Sequence, residues 1–188
     1  MALLAEELVE EWLNRQGYFT IRGIKIGVQE IDLLAVRFNG EIVECRHIEV
    51  QASINPVSYM TGVSKKIQTR DGRPPNSAKK RTSEELSECV QEWIEKKFYK
   101  DSKNKMRLKL VPSAKWIYEL VVNKIKYSEE MEIVRNCGIG IIYLSDIISD
   151  LERDKTLIEG ASGTDFVDLV LLKKLINSRE PIIGHTIE

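Results

Sequence analysis

The dipeptide Asn39-Gly40 separates two β-rich runs, VQEIDLLAVRF and EIVECRHIEVQA. A two-residue turn with positive φ at both central positions suits Asn-Gly, so the pair predicts a β-hairpin. The preceding stretch YFTIRGIKIG is also alternating and β-branched, and together the three predict an antiparallel meander. Successive strand side chains point to opposite faces. Cys45, His47, Glu49 and Gln51 therefore share one face of the third strand, and Glu30, Asp32 and Leu34 share one face of the second. Asp32 and Glu49 thus lie inside apolar strands, where a carboxylate is costly unless it is paired or bound to a cation.

The rest of the chain alternates helix and strand signals. Residues 3–16 carry apolar side chains at helical spacing, and Gly17 suits the position after a helix end. Residues 53–83, with Pro56, Gly62, Gly72, Pro74 and Pro75, read as a long, partly ordered connection. Ser83 is the expected cap of a helix that buries Leu86, Val90, Trp93, Ile94 and Phe98. RLKLV and WIYELVVN read as strand segments, residues 129–136 as a helix, IGIIYL as a short buried strand, and Ser145 as the cap of a helix running to Glu152. A polar linker over 155–163 leads to a last helix, TDFVDLVLLKKLINS, capped by Thr164 or Asp165. The order predicts an α/β fold with a mixed sheet, antiparallel at its start and joined by crossovers later.

Charge is uneven although the net value is only −1. Seven bases (Lys65, Lys66, Arg70, Arg73, Lys79, Lys80 and Arg81) stand against one acid over residues 62–82. Seven more stand against Asp101 over residues 96–109. A dense basic loop suits a phosphate backbone, whose binding rests on charge neutralisation. The three cysteines, Cys45, Cys89 and Cys137, are far apart; with only His47 and His185 to join them, a structural zinc site is not expected, and core thiols in a reducing compartment are. No apolar run approaches the ~20 residues that span a bilayer, and the N-terminus lacks a basic signal-peptide region. A cytoplasmic location without membrane contact is expected.

Glu6 on the first helix, Asp32 on a central strand and Glu49 on its neighbour form a set of hard oxygen ligands. Such ligands suit Mg²⁺, which takes one or two carboxylates plus waters and substrate phosphate. The stretches EELVEEWLNRQGY, EIDLLAV and HIEVQ, followed by EEMEIVRNCGIGIIYLSDIISDLE, resemble the PD-(D/E)XK nuclease superfamily over roughly residues 3–153. The resemblance implies a restriction-endonuclease-like three-layer core over 1–153, with helices on both faces of a mixed sheet. Residues 154–188 would then be a C-terminal linker and helix that packs on the core or on a partner subunit.

By the same resemblance Glu6 matches the helix glutamate, eleven residues before Gly17. Asp32 and Glu49 match the metal-binding acids, with the Val50 carbonyl as a further ligand for Mg²⁺ or Mn²⁺. Gln51 stands where the superfamily carries lysine. An amide can orient a water but supplies no positive charge, and Lys25, Lys65, Lys66 and protonated His47 are candidate substitutes. The implied activity is hydrolysis of a DNA phosphodiester by cation-activated water, with Gln51 orienting the nucleophile, the basic loop holding the backbone, and a homodimer as the expected assembly. The alternative is an inactive protein of the same fold that binds nucleic acid or acts as a scaffold. Three plainer readings stand beside these. They take Glu6 and Glu10 as solvated helix residues, Asp32 as a partner of Arg22 or Lys25, and Glu49 and Gln51 as the polar face of an edge strand.

Overall fold

A computed structural model describes residues 2–52, 57–123, 125–152 and 157–158. Helix α1 (Ala2–Arg15) precedes strands β1 (Phe19–Ile26), β2 (Gln29–Asn39) and β3 (Ile42–Gln51). Helices α2 (Lys65–Asp71) and α3 (Ser83–Ile94) follow, then a π-helical turn (Glu95–Tyr99) and α4 (Asp101–Leu110). Strand β4 (Trp116–Val122), helix α5 (Glu129–Asn136), strand β5 (Gly140–Tyr143) and helix α6 (Leu144–Glu152) complete the described elements.

The strands form one five-stranded sheet in the order β1-β2-β3-β4-β5. β1, β2 and β3 are the antiparallel meander that the sequence predicts, whereas β4 and β5 add in parallel. The hairpin closes with Asn39 opposite Ile42, so its central residues are Gly40 and Glu41 rather than Asn39 and Gly40, and of the Asn-Gly pair only Gly40, at φ 61°, is left-handed, a conformation glycine adopts readily because it has no Cβ.

Helices cover both faces, so the fold is a three-layer α/β arrangement. On one face α1 and α6 pack Leu8, Val9, Leu13, Ile147 and Leu151 against Leu33, Ala35, Ile48, Val50 and Val121 of the sheet. On the other, α3, the π-helical turn and α5 bury Val90, Ile94, Phe98, Met131 and Val134 against Leu120 and Val122. Each aliphatic side chain fully withdrawn from water contributes about 1.5–3 kcal/mol, so these two layers supply the cohesion that holds a charged site between them.

Four sequence expectations are corrected. RLKLV is the end of α4 and not a strand. Its alternation mimics a period of two, but the buried member is Arg107, while Leu108 and Leu110 stay 45% and 42% exposed. Thr82, not Ser83, caps α3: its hydroxyl accepts from Glu85 N while the Glu85 carboxylate accepts from Thr82 N, a reciprocal capping box. Helix α6 begins at Leu144, so Ser145 lies inside it. The connection after β3 is more ordered than its glycines and prolines suggest. Ser64 caps α2 by accepting from Ile67 N, and Gly72 ends it at φ 64°. The expected last helix, and the dimer contact assigned to it, fall outside the described residues.

Candidate active site

Asp32 and Glu49 are brought side by side by the β2–β3 register, which pairs Leu33 with Ile48 and Leu34 with His47. Both carboxylates turn to the sheet face that carries α3 and α4. Asp32 Oδ2 accepts a hydrogen bond from Val50 N at 2.8 Å. Burial first, and the negative charge of Glu49 second, push the Asp32 carboxyl up to about 7. Glu49, itself 1% exposed, behaves oppositely. Burial works against its charge, but a hydrogen bond from His47 and the ammonium groups of Lys97 and Lys103 hold it at about 2. One acid of the pair is firmly ionised and its neighbour is poised between forms.

Three cations that the sequence reading did not assign to the site converge here, two on Glu49 and one on His47. Lys97 Nζ lies 2.5 Å from Glu49 Oε2 and 3.8 Å from Asp32 Oδ2. Lys103 Nζ donates to Glu49 Oε1 at 2.7 Å and to the Lys97 carbonyl at 2.8 Å. Arg107 Nη1 lies 2.8 Å from His47 Nδ1, and His47 Nε2 lies 3.0 Å from Glu49 Oε1. A guanidinium has no acceptor, so His47 Nδ1 accepts and Nε2 carries the proton donated to Glu49. Burial pushes the imidazole down to about 4, which keeps it neutral. The ring is packed against Phe98 and Tyr118 at centroid distances of 5.0 and 5.9 Å.

The two lysines are not equivalent. The Lys103 side chain is 2% exposed and that of Lys97 is 30% exposed. Burial lowers the Lys103 ammonium from its ordinary value, whereas Glu49 and Asp32 more than offset the burial of Lys97 and raise it. Lys103 and Arg107 sit four residues apart and so share one side of α4, the one signal in the sequence that could have placed them. Lys97 comes from the π-helical turn, an element that no sequence pattern announced.

The remaining sequence candidates divide. Glu6 sits on α1, which packs on the opposite face. No hydrogen bond among the described residues joins it to either acid. Its charge nonetheless adds to the elevation of Asp32, and burial and the charge of Glu30 raise its own carboxyl. Gln51 directs its amide nitrogen to the Met60 carbonyl at 2.8 Å, tying the end of β3 to the following segment. Val50 meets Asp32 through its N–H. Arg22 is engaged by Glu7 and Glu10 at 3.1 and 2.9 Å, so the cation beside Asp32 is Lys97 and not Arg22 or Lys25, the partners in the plainer reading.

The basic segment over 62–82 is only partly a free surface. Arg81 donates to the Thr61 hydroxyl and carbonyl, both at 2.9 Å, beside Glu130. Arg73 pairs with Glu85 at 3.1 Å, as does Arg70, which also holds Asp71. Lys66 lies 3.4 Å from Glu88. Lys65, Lys79 and Lys80 are exposed and make no ion pair among the described residues.

Two carboxylates within reach of one ammonium define a place that favours positive charge. Their oxygen chemistry fits Mg²⁺ or Mn²⁺. No cluster of three or more His, Cys, Asp or Glu side chains suited to a metal occurs among the described residues, so the fit is that of a two-carboxylate site shared with Lys97.

No family model and no curated protein matches the chain. A crystal structure of a protein of unknown function, AF1548, is similar over 95% of this chain and 100% of that one, at 13% identity and a TM-score of 0.45. No helix among the described residues is long and apolar enough to cross a membrane.

Proposed function

We propose that this chain is a divalent-cation-dependent nuclease of the PD-(D/E)XK superfamily, with a restriction-endonuclease-like core, that hydrolyses DNA phosphodiesters. The observation that carries the reading is the position of Lys97, whose ammonium touches Glu49 and reaches toward Asp32. It supplies, from a different element, the positive charge that Gln51 lacks.

In this reading Asp32 and Glu49 hold the cation, with the Val50 carbonyl beside them and Glu6 adding negative charge from α1. A bound Mg²⁺ or Mn²⁺ would polarise the phosphoryl oxygen and lower the pKa of the attacking water. Lys97 neutralises charge that develops on the phosphate, which lowers the barrier. His47 and Lys103 keep Glu49 ionised and oriented, and Arg107 keeps His47 in the tautomer that donates to it. Gln51 positions the Met60 segment. Lys65, Lys79 and Lys80 offer exposed charge to a phosphate backbone.

The test is cleavage of linear and branched DNA in Mg²⁺ and Mn²⁺ by wild type, Asp32→Ala and Lys97→Met, with circular dichroism on each. Wild-type cutting that Asp32→Ala abolishes and Lys97→Met strongly reduces supports the reading; full activity in Asp32→Ala refutes the site.

A second reading draws on the same geometry. Both Glu49 oxygens are already satisfied by ammonium groups and the Gln51 amide is spent on Met60, which suits an inactive protein of this fold that binds nucleic acid. DNA binding with neither cutting nor cation uptake would favour it.

A further inference from the structure

We propose that cation uptake at Asp32 and Glu49 is coupled to nucleic-acid binding through Lys97: its ammonium holds the cation position in the free protein and leaves it for a substrate phosphate. This rests on the nuclease reading above and specifies how that site is regulated.

The geometry makes occupancy exclusive. Lys97 Nζ stands 2.5 Å from Glu49 Oε2 and also faces Asp32 Oδ2, the two oxygens a cation between the acids would use. A Mg²⁺ ion sits about 2.1 Å from its oxygen ligands, so ion and ammonium would compete for the same lone pairs and repel each other at close range.

Only one of the two lysines can yield. Lys103 is enclosed and its ammonium bonds both Glu49 and the Lys97 carbonyl. That second bond anchors the Lys97 backbone, so the Lys97 side chain can move while its main chain stays. Lys97 is also the lysine with a route to solvent, and it sits on a π-helical turn, an irregularity that recurs where a helix serves a site. A phosphodiester offers anionic oxygens to which the ammonium transfers by a charge-assisted hydrogen bond. Free of Lys97, the two carboxylates carry excess negative charge beside an incoming phosphate, the setting in which a divalent ion is taken up. Linkage then requires that DNA raise cation affinity by the same factor as the cation raises DNA affinity.

The test titrates Mn²⁺ into the full chain and follows free Mn²⁺ by electron paramagnetic resonance, with and without a saturating DNA duplex. DNA alone provides the background, and the readout is indifferent to cutting. Wild type is expected to bind Mn²⁺ about tenfold more tightly with DNA present. Lys97→Met and Lys97→Gln, with the fold checked by circular dichroism, are expected to bind Mn²⁺ without DNA as tightly as wild type does with it. Equal wild-type affinity with and without DNA, or no gain in either variant, overturns the coupling; if the wild type still cuts DNA, the nuclease reading survives. Failure of every form to take up Mn²⁺ under both conditions overturns the coupling and the nuclease reading together.

Discussion

Arg107 donates from Nη1 to Nδ1 of His47 across 2.8 Å, and this one contact sets the proton on the far side of the ring, facing Glu49. The imidazole is held down to about 4 by burial. Its resonances in a ¹⁵N NMR titration should therefore show the Nε2–H tautomer and no protonation above about pH 5. Arg107→Leu removes the donor and frees Nδ1, and the Nε2–H preference should weaken. A His47 ring that titrates near its ordinary value would mean that this chain of contacts is not made.

Asp32 predicts a pH dependence of opposite sense. Its folded-state pKa of about 7 lies above the ordinary 3.8, so the folded state binds the proton more tightly. Its contribution to stability is fully present below about pH 4 and is lost as pH rises through about 7. Asp32→Asn retains an acceptor for Val50 N and removes the buried charge. In urea denaturation the variant should match wild type only below about pH 4 and exceed it at pH 8 by about 4 kcal/mol, while cleavage is lost. Glu49 acts the other way: held at about 2 against an ordinary 4.5, it stabilises the fold above about pH 4.5, and that stability is lost as pH falls toward 2.

The role given to Lys97 can be separated from that of a mere counter-ion. Lys97→Met should reduce cleavage on the order of a hundredfold, the cost typical of removing one donor to the developing charge. Adding Gln51→Lys returns an ammonium to the end of β3 and should restore part of the rate. Single-turnover cleavage of the single and double variants is the measurement. No recovery in a folded double variant would show that charge at the end of β3 cannot stand in for Lys97.

Glu130 carries a structural burden. Fully buried, it accepts from Met60 N at 2.6 Å, Thr61 N at 2.9 Å and the Thr61 hydroxyl, with Arg81 Nη1 3.9 Å away. Glu130→Ala leaves the Arg81 guanidinium without its counter-charge and should cost about 3–5 kcal/mol. Denaturant unfolding checks it.

The basic segment should split by function. Lys79→Ala with Lys80→Ala removes exposed charge, so it should weaken DNA binding and flatten its dependence on salt with the melting temperature unchanged. Arg73→Ala and Arg81→Ala break buried pairs and should lower the melting temperature first. Fluorescence anisotropy at several salt concentrations beside thermal melts distinguishes the two groups.

Much of the site's frame was legible in the chain itself. The Asn39-Gly40 turn and the period of two in β2 and β3 suffice to place Asp32 and Glu49 on one face, because strand geometry is local and a tight turn sets the register. The helix α1, the strands β4 and β5 and the helix α5 were readable for the same reason. What the sequence could not reveal is which charges turn inward. Lys97, Lys103 and Arg107 belong to a run of seven bases that by composition looks like a solvated surface, and the alternation RLKL points to a strand that does not form. Their inward turn depends on buried carboxylates some fifty residues away: Glu49 sits 48 and 54 positions before the two lysines that bind it. A lysine is drawn out of water only where such an anion awaits it. Local pattern determined where the acids stand; only the packing of the π-helical turn and α4 over the sheet decided which cations answer them.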